Sequence, residues 1–200
     1  MEIDLTTLTP DVRRLAELEK VVYDKAWFAS ADKDIELYHM YRKLKIENGL
    51  RYDVTIIPAR MLGQEFVKTK GHIHAGHYGE VYMVLEGEGI YFAQKGDENL
   101  IEDVFVVHAK KGDVIIIPAG YGHVTINSST QDLKTANWVA ESDKGNFESF
   151  ERNQGACYYY LATADGGTSW LKNEHYQQVP ELRFEEPLRE IPKNLDFLKA

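Results

Sequence analysis

The stretch Thr69–Gly89, TKGHIHAGHYGEVYMVLEGEG, places three potential metal ligands, His72, His74 and Glu80, within nine residues. His72 and His74 are two residues apart, so on an extended strand both rings point to the same face, roughly 6–7 Å apart along the backbone. Glu80 follows a short loop and begins an apolar run that ends at Gly87, where a hairpin turn is expected. The pattern predicts two imidazoles and a carboxylate directed toward one point.

A second stretch, Gly112–Asn127, reads GDVIIIPAGYGHVTIN and adds another histidine. A glycine turn leads into an apolar strand, and Pro118 and Gly120 end that strand shortly before His123. The spacing is Gly-x5-Pro-x-Gly-x2-His-x3-Asn. A His-x-His pair alone is weak evidence, because single histidines in strands are usually surface or core side chains. The ordered combination predicts a metal site made of His72, His74, Glu80 and His123.

The two stretches together resemble the two-motif signature of the cupin superfamily, small β-barrels of jelly-roll type. The string Thr-Lys-Gly-His-x-His, followed by Glu-Val-Tyr, more narrowly resembles the cupin-type glucose-6-phosphate isomerases of archaea. The resemblance is strong over residues 36–140 and weak on either side. It implies an all-β fold, a cupin jelly-roll β-barrel with an N-terminal helical segment and an extended C-terminal tail.

The order of predicted elements divides the chain into three parts. Residues 1–34 form an N-terminal helical segment, in which apolar residues at helical spacing predict a helix over 9–27, with Thr9 as its N-cap. Residues 35–165 form the cupin β-barrel, and residues 166–200 form a C-terminal extension that packs on the barrel or on a partner subunit. Many short strands at regular spacing support the all-β assignment.

Within the barrel, two strands over 35–58 are joined by a turn at Asn48-Gly49. The polar run 141–155 is expected to be irregular. Further strands are expected over residues 89–94, 104–108, 133–140 and 157–163.

Composition narrows the classes of function. The net charge of −9 argues against nucleic-acid binding, and a small phosphorylated substrate would need a local anion site. Cys157 is the only cysteine, which excludes an intrachain disulfide and fits a reducing compartment. Residues 1–10 show no basic-then-apolar leader, and no apolar run is long enough to span a bilayer. We expect a cytoplasmic protein without nucleic-acid or membrane partners.

Three imidazoles and one carboxylate suit Fe(II), Mn(II), Ni(II) or Zn(II), and geometry rather than sequence selects among them. We expect one divalent metal in each subunit, with Fe(II) as the first choice. In an octahedral arrangement, four protein ligands leave two positions that neighbouring substrate oxygens could fill. A cluster without cysteine argues against a structural tetrathiolate zinc site.

The resemblance implies a homodimeric isomerase that interconverts glucose 6-phosphate and fructose 6-phosphate in glycolysis and gluconeogenesis. Hydrogen moves between C1 and C2 either through an enediolate, with Glu80 or another carboxylate as base, or by a metal-assisted hydride shift. The sequence leaves both routes open, although a carboxylate bound to a cation is a poor base. Tyr82, two residues after Glu80, shares its face on a strand and is the second expected catalytic residue.

The phosphate of such a substrate needs donors. Thr69, Lys70 and Gly71 directly precede the first histidine and offer a hydroxyl, an ammonium and a backbone N–H. The resemblance assigns this segment to phosphate binding and adds Thr55 and Tyr38 by spacing. The ordinary alternative is that Thr55 and Tyr82 fill the barrel and that Lys70 is solvated.

One region departs from the family pattern. Archaeal isomerases carry a tyrosine and then a histidine after the second motif, whereas residues 137–143 here contain no histidine. Ring opening and proton shuttling are therefore left without an assigned residue, and Glu141, His77 and Tyr159 are candidates.

Two other functions compete with the isomerase, a cupin metal-dependent dioxygenase and a non-catalytic cupin that binds a sugar. The Thr-Lys-Gly segment favours the isomerase over the dioxygenase, because an oxygenase has no general need for an anion site there. Four intact ligands count against the non-catalytic alternative.

Overall fold

The computed structural model describes residues 3–97 and 99–199, and strands dominate that part of the chain. Its helices are α1 (Lys25–Ser30) and α2 (Glu148–Arg152), with 3-10 turns at Leu5–Thr7, Leu15–Leu18 and Asp196–Leu198. The strands are β1 (Asp11–Arg14), β2 (Glu36–Glu47), β3 (Leu50–Ile57), β4 (Met61–Leu62), β5 (Glu65–Phe66), β6 (Ile73–His74), β7 (Glu80–Glu86), β8 (Glu88–Gly96), β9 (Ile101–Lys110), β10 (Val114–Ile117), β11 (Gly122–Ile126), β12 (Leu133–Ala140), β13 (Gly145–Asn146), β14 (Tyr158–Ala162), β15 (Thr168–Lys172) and β16 (Arg183–Glu185).

Two sheets carry the architecture. The larger has the strand order β1-β2-β3-β12-β7-β10, and the smaller has the order β11-β8-β9-β16. Neighbouring strands are antiparallel except β16, which joins β9 in parallel. The sheets stay separate rather than closing into one hydrogen-bonded barrel. The all-β prediction is confirmed, in the form of a jelly-roll sandwich.

Alternation along β7 explains how this strand serves both the site and the core. Tyr82 and Val84 pack into the main core between the sheets, and Glu80 shares their face. Val81 and Met83 point to the other side of the sheet, where they join a second apolar cluster beneath the C-terminal 3-10 turn. A strand buried on both faces reads as a continuous apolar run, as this sequence does.

The hairpin between β2 and β3 forms where the sequence predicts it. Asn48 and Gly49 both have positive φ angles, 52° and 74°, as a tight two-residue hairpin turn requires. The strands predicted over 89–94, 104–108 and 133–140 lie within β8, β9 and β12, and the one predicted over 157–163 contains β14.

The helix predicted over 9–27 is wrong. The segment begins with β1, which pairs with β2 at the edge of the large sheet, and continues as a 3-10 turn. Leu15 and Leu18 are fully buried, so the apolar spacing correctly indicates which residues face the core. A short 3-10 turn and the loop after it are enough to bury them, and no longer helix forms. Helix α1 begins later, where Asp24 caps it by accepting a hydrogen bond of 2.8 Å from the Trp27 N–H.

The run 141–155 is more ordered than predicted. It contains β13, which pairs with β6, and helix α2, which buries Phe150. One apolar side chain in a polar run gives too little periodicity to reveal a short helix. Farther along, the tail returns to the sandwich through β16 and through a bridge between Val114 and Leu188. None of the helices in the described part of the chain has the length and hydropathy needed to cross a bilayer.

A buried ion pair links the N-terminal segment to the sandwich. Lys68 and Glu65 are in direct contact, and both side chains are less than a tenth exposed. The Lys68 ammonium also donates to the Val21 carbonyl at 2.9 Å, and the second Glu65 oxygen accepts from the Tyr23 N–H at 3.0 Å. Each charged group therefore also fixes the backbone of the segment that precedes α1.

We expect Glu65→Gln to lower the free energy of unfolding by about 3 kcal/mol, because it leaves the Lys68 ammonium buried without a counter-charge. Urea denaturation measures the change. Glu86→Gln is the matched control, because the exposed Glu86–Lys134 pair, at 3.0 Å, should contribute less than about 1 kcal/mol. Equal losses in the two variants would show that the buried pair does not hold this segment.

Candidate metal centre and substrate cavity

The four predicted ligands converge. One potential ligand atom from each of His72, His74, Glu80 and His123 lies within 4.8 Å of the others. His72 pairs with His123 through a backbone bridge between the two motifs, and their ring centroids are 4.5 Å apart. Glu80 Oε2 lies 3.3 Å from His74 Nε2 and 3.0 Å from His123 Nε2. The structure therefore brings together the four side chains that the sequence predicts as ligands. That they bind a metal stays a prediction.

The donor set fits a divalent cation. His74 Nε2 and Glu80 Oε2 are buried and make no hydrogen bond of good geometry within the described structure. Unpaired polar atoms in the interior cost free energy, and a bound cation would satisfy both. Nitrogen and carboxylate ligands without cysteine are typical of exchangeable, catalytic metals rather than of structural zinc.

Protonation also bears on metal binding. Burial, together with the neighbouring His123, lowers the pKa of His72 well below its ordinary value, so its ring is neutral and ready to bind. Burial alone would lower the pKa of His74, but the carboxylates of Asp143 and Glu80 raise it to about 10. Uptake of a metal at neutral pH should therefore release a proton from His74.

Two residues outside the predicted set hold the ligands in place. Asn137 Nδ2 donates to Glu80 Oε1 at 2.6 Å, which leaves Oε2 directed at the histidines. Asp143 Oδ2 lies 2.9 Å from His74 Nδ1, so Nε2 is the nitrogen that faces the centre. Both come from the region that lacks the family histidine. That region therefore contributes contacts behind the ligands.

The predicted substrate residues line a cavity of about 110 Å³ next to the metal ligands. Its walls include all five predicted phosphate-binding residues, together with Tyr82 and three of the four ligands. Those five are Tyr38, Thr55, Thr69, Lys70 and Gly71.

The hydroxyls in this wall are oriented by the backbone. The Tyr38 hydroxyl accepts from the Lys70 N–H at 3.2 Å, and Thr69 Oγ1 accepts from the Thr125 N–H at 3.0 Å. Each hydroxyl keeps its own proton for a further acceptor. Burial raises the pKa of Tyr38, so that proton is retained at neutral pH.

Gly71 is required by the backbone. Its φ is +83°, a conformation that side chains disfavour, and a Cβ there would lie 2.6 Å from Phe150 Cδ1. Helix α2 thus packs directly against the segment that enters the metal site.

Several cavity residues were not predicted. Arg13 was hidden by the helical interpretation of residues 9–27, and Asn137 and Asp143 belong to no recognised motif. None of the candidates for the missing histidine's role, Glu141, His77 and Tyr159, is among the cavity-lining residues. The complete set of unpredicted lining residues is Arg13, Met40, Arg42, Arg51, Asp53, Asn137, Asp143, Gly145 and Phe147.

Comparison with known proteins supports the motif assignment. The sequence model of the glucose-6-phosphate isomerase (GPI) family matches residues 12–179. The chain belongs to the glucose-6-phosphate isomerase family. The match extends well beyond residues 36–140, over which the motif resemblance is strong, and includes Arg13 and Asp143.

Individual relatives agree with this family. The glucose-6-phosphate isomerase of Pyrococcus furiosus is 32% identical over 124 residues, which are 58% of this chain and 62% of that protein. The glucose-6-phosphate isomerase of Thermococcus litoralis is 30% identical over the same shares. The chain thus spans somewhat less than two thirds of these curated relatives. Among solved structures, a predicted oxalate decarboxylase from Thermotoga maritima aligns with 69% of this chain and 96% of its own, at 21% identity and a TM-score of 0.44.

We expect Asp143→Asn to weaken divalent-metal binding about 10- to 100-fold, because the carboxylate no longer orients His74 and strengthens it as a ligand. Competition between the protein and a metal-sensitive dye measures the affinity. Glu141→Gln is the matched control, since Glu141 lies two residues away and pairs only distantly, at 3.7 Å, with Lys43. Unchanged affinity in Asp143→Asn would mean that the contact is incidental.

Proposed function

We propose that this chain is a metal-dependent aldose–ketose isomerase that interconverts glucose 6-phosphate and fructose 6-phosphate. One observation carries the proposal. A histidine–carboxylate cluster that fits a metal and a wall of hydroxyl and cationic groups that fits a phosphate face the same cavity. Membership of the glucose-6-phosphate isomerase family supports the choice of substrate.

The phosphate end of the substrate is assigned to the wall that precedes the metal ligands. Thr69 and Tyr38 supply hydroxyl protons, Lys70 supplies charge, and Gly71 allows the backbone to pass close by. Thr55 lines the same cavity from β3. These groups bind the substrate in its ground state and its transition state alike, so they contribute mainly to affinity and placement.

The sugar carbons are assigned to the metal end of the cavity. His72, His74, Glu80 and His123 would hold the cation, which when bound polarises the sugar oxygens as a Lewis acid. We favour Fe(II), as the family resemblance implies, with Ni, Mn or Zn as alternatives that the same donors accept.

Glu80 and Tyr82 are proposed to act on the reacting atoms. Burial would raise the pKa of Glu80, but its contacts with His123 and His74 hold that pKa well below the ordinary value, so this carboxylate is a weak general base. Burial and the neighbouring Glu80 raise the pKa of Tyr82, whose hydroxyl lies 3.1 Å from His123 Nε2. Tyr82 therefore keeps its proton and can donate it to a sugar oxygen.

We also propose a homodimer of cytoplasmic location, without nucleic-acid or membrane partners. Strand β1 lies at the edge of the large sheet, where its outer backbone groups can pair with another copy. The net charge of −9 supports the exclusion of nucleic acid.

We expect chelation to abolish isomerisation of fructose 6-phosphate and added Fe(II) to restore it, because the proposed reaction needs a cation to polarise the sugar oxygens. A coupled assay under nitrogen, before and after chelation, measures this. Equal rates with and without oxygen are expected, since isomerisation consumes no oxidant. Full activity of metal-free protein, or a reaction that stops without oxygen, would contradict the proposal, and the latter would favour the dioxygenase.

A further inference from the structure

Arg13 enters the cavity from the edge of the large sheet. It lies on β1 directly opposite Tyr38 of β2, so the two side chains share a face. Arg13 lines the same cavity as Tyr38, and only 20% of its side chain is exposed. The phosphate-facing tyrosine predicted from the sequence therefore has a cationic neighbour that no motif indicated.

The Arg13 guanidinium has hydrogen-bonding capacity to spare. Its Nε is buried and has no partner within the described structure. The Arg13 Cζ lies 5.9 Å from the centre of the Phe147 ring, and the Lys70 Nζ lies 5.2 Å from the same centre. Two cations thus flank one aromatic ring in the cavity wall.

The other two arginines of the cavity differ from Arg13. Arg51 contacts Asp53 at 2.8 Å and donates to three backbone carbonyls of residues 140–143. Arg42 contacts Asp11 at 3.2 Å, and 42% of its side chain is exposed, against 20% for Arg13. Arg51 is therefore held by structural partners, and Arg42 lies nearer to solvent than Arg13.

Arg13 and Lys70 are less exposed than Arg42 and have fewer structural partners than Arg51. Their carboxylate partners are Glu17, whose side chain is 42% exposed, and Glu151, whose side chain is 25% exposed. Water can solvate a partly exposed carboxylate when its partner leaves, so these pairs open at a lower cost than a fully buried pair would. An anion that enters the cavity can therefore take over both cations, because Glu17 keeps the Arg14 N–H and Glu151 keeps Lys20 as partners.

We propose that Arg13 binds the phosphate group of the substrate together with Lys70. This inference rests on the proposed function, since it names the group that recognises the substrate's anionic end. A planar guanidinium matches phosphate oxygens with two parallel donors, which a lysine cannot do. The hydroxyls of Tyr38 and Thr69 complete the set around the same anion. In a chain with a net charge of −9, such a local cluster is what lets a dianion bind.

The test compares Arg13→Gln with Arg14→Gln in metal-loaded protein, with inorganic phosphate as the probe. Arg14 is the next residue on β1 but contacts Glu36 at 2.8 Å and does not line the cavity. Isothermal titration should show phosphate binding weakened about tenfold or more in Arg13→Gln and unchanged in Arg14→Gln. The phosphate affinity of Arg13→Lys should lie between those of the two glutamine variants, because lysine keeps the charge but loses the two parallel N–H donors.

Kinetics separate this inference from the proposed function. Arg13→Gln should raise KM for fructose 6-phosphate and leave kcat within about threefold, because the phosphate contact is also made in the ground state. If the wild-type protein isomerises the sugar phosphate and Arg13→Gln binds phosphate as tightly as the wild type, the role of Arg13 is overturned and the proposed isomerase activity stands. If the wild-type protein does not isomerise the sugar phosphate but Arg13→Gln binds phosphate more weakly than the wild type, the anion site is supported and the proposed isomerase activity is contradicted. Phosphate held by the metal alone would be insensitive to Arg13 and would also overturn the inference.

Discussion

The convergence of three imidazoles and one carboxylate in a buried space is the constraint on which this structure depends. Charged and polar atoms at that depth are costly unless something satisfies them. The protein satisfies part of the cluster with its own contacts, and His74 Nε2 and Glu80 Oε2, 3.3 Å apart, make no hydrogen bond of good geometry. The large sheet supplies Glu80 from β7, and the smaller sheet supplies His123 from β11. The two halves of the sandwich are therefore arranged around one small volume.

The surroundings restrict how the ligands can move. Asn137 fixes one oxygen of Glu80, and Asp143 fixes the orientation of His74. Gly145 allows β13 to pass the first histidine closely, since a Cβ there would lie 2.9 Å from His72 Cδ2. A preorganised donor set loses little entropy when a metal or substrate binds, and this favours precise placement of the reacting atoms.

The sequence reveals the parts of this arrangement that have a short, regular pattern. Alternation places Glu80 and Tyr82 on one face of a strand, and Asn48-Gly49 fixes a hairpin, because period and turn chemistry are local properties. The four ligands could be found because their spacing combines with glycine-bounded turns. Residues that depend on tertiary packing were missed. Leu15 and Leu18 have helical spacing, yet pairing with β2 makes the preceding residues a strand and brings Arg13 into the cavity.

The same reasoning explains the region without the family histidine. Asp143 reaches His74 from a turn after β12, and nothing in a polar run distinguishes a buried carboxylate from a solvated one. Helix α2 could not be predicted either, because a single residue anchors it. Phe150 packs against Gly71 and Gly122, and one apolar side chain gives no periodic pattern in the sequence. The fold class and the four candidate ligands can be predicted from local sequence patterns. The residues that position those ligands can be identified only from tertiary contacts in the folded chain.

The central claim is tested most directly by anomalous X-ray scattering from crystals of the protein loaded with a divalent metal. The structure predicts one strong anomalous peak for each chain, at about 2.0–2.2 Å from a nitrogen of His72, His74 and His123 and from an oxygen of Glu80. A peak bound by other residues, or no peak in fully loaded protein, would contradict the claim that these four side chains form a metal centre.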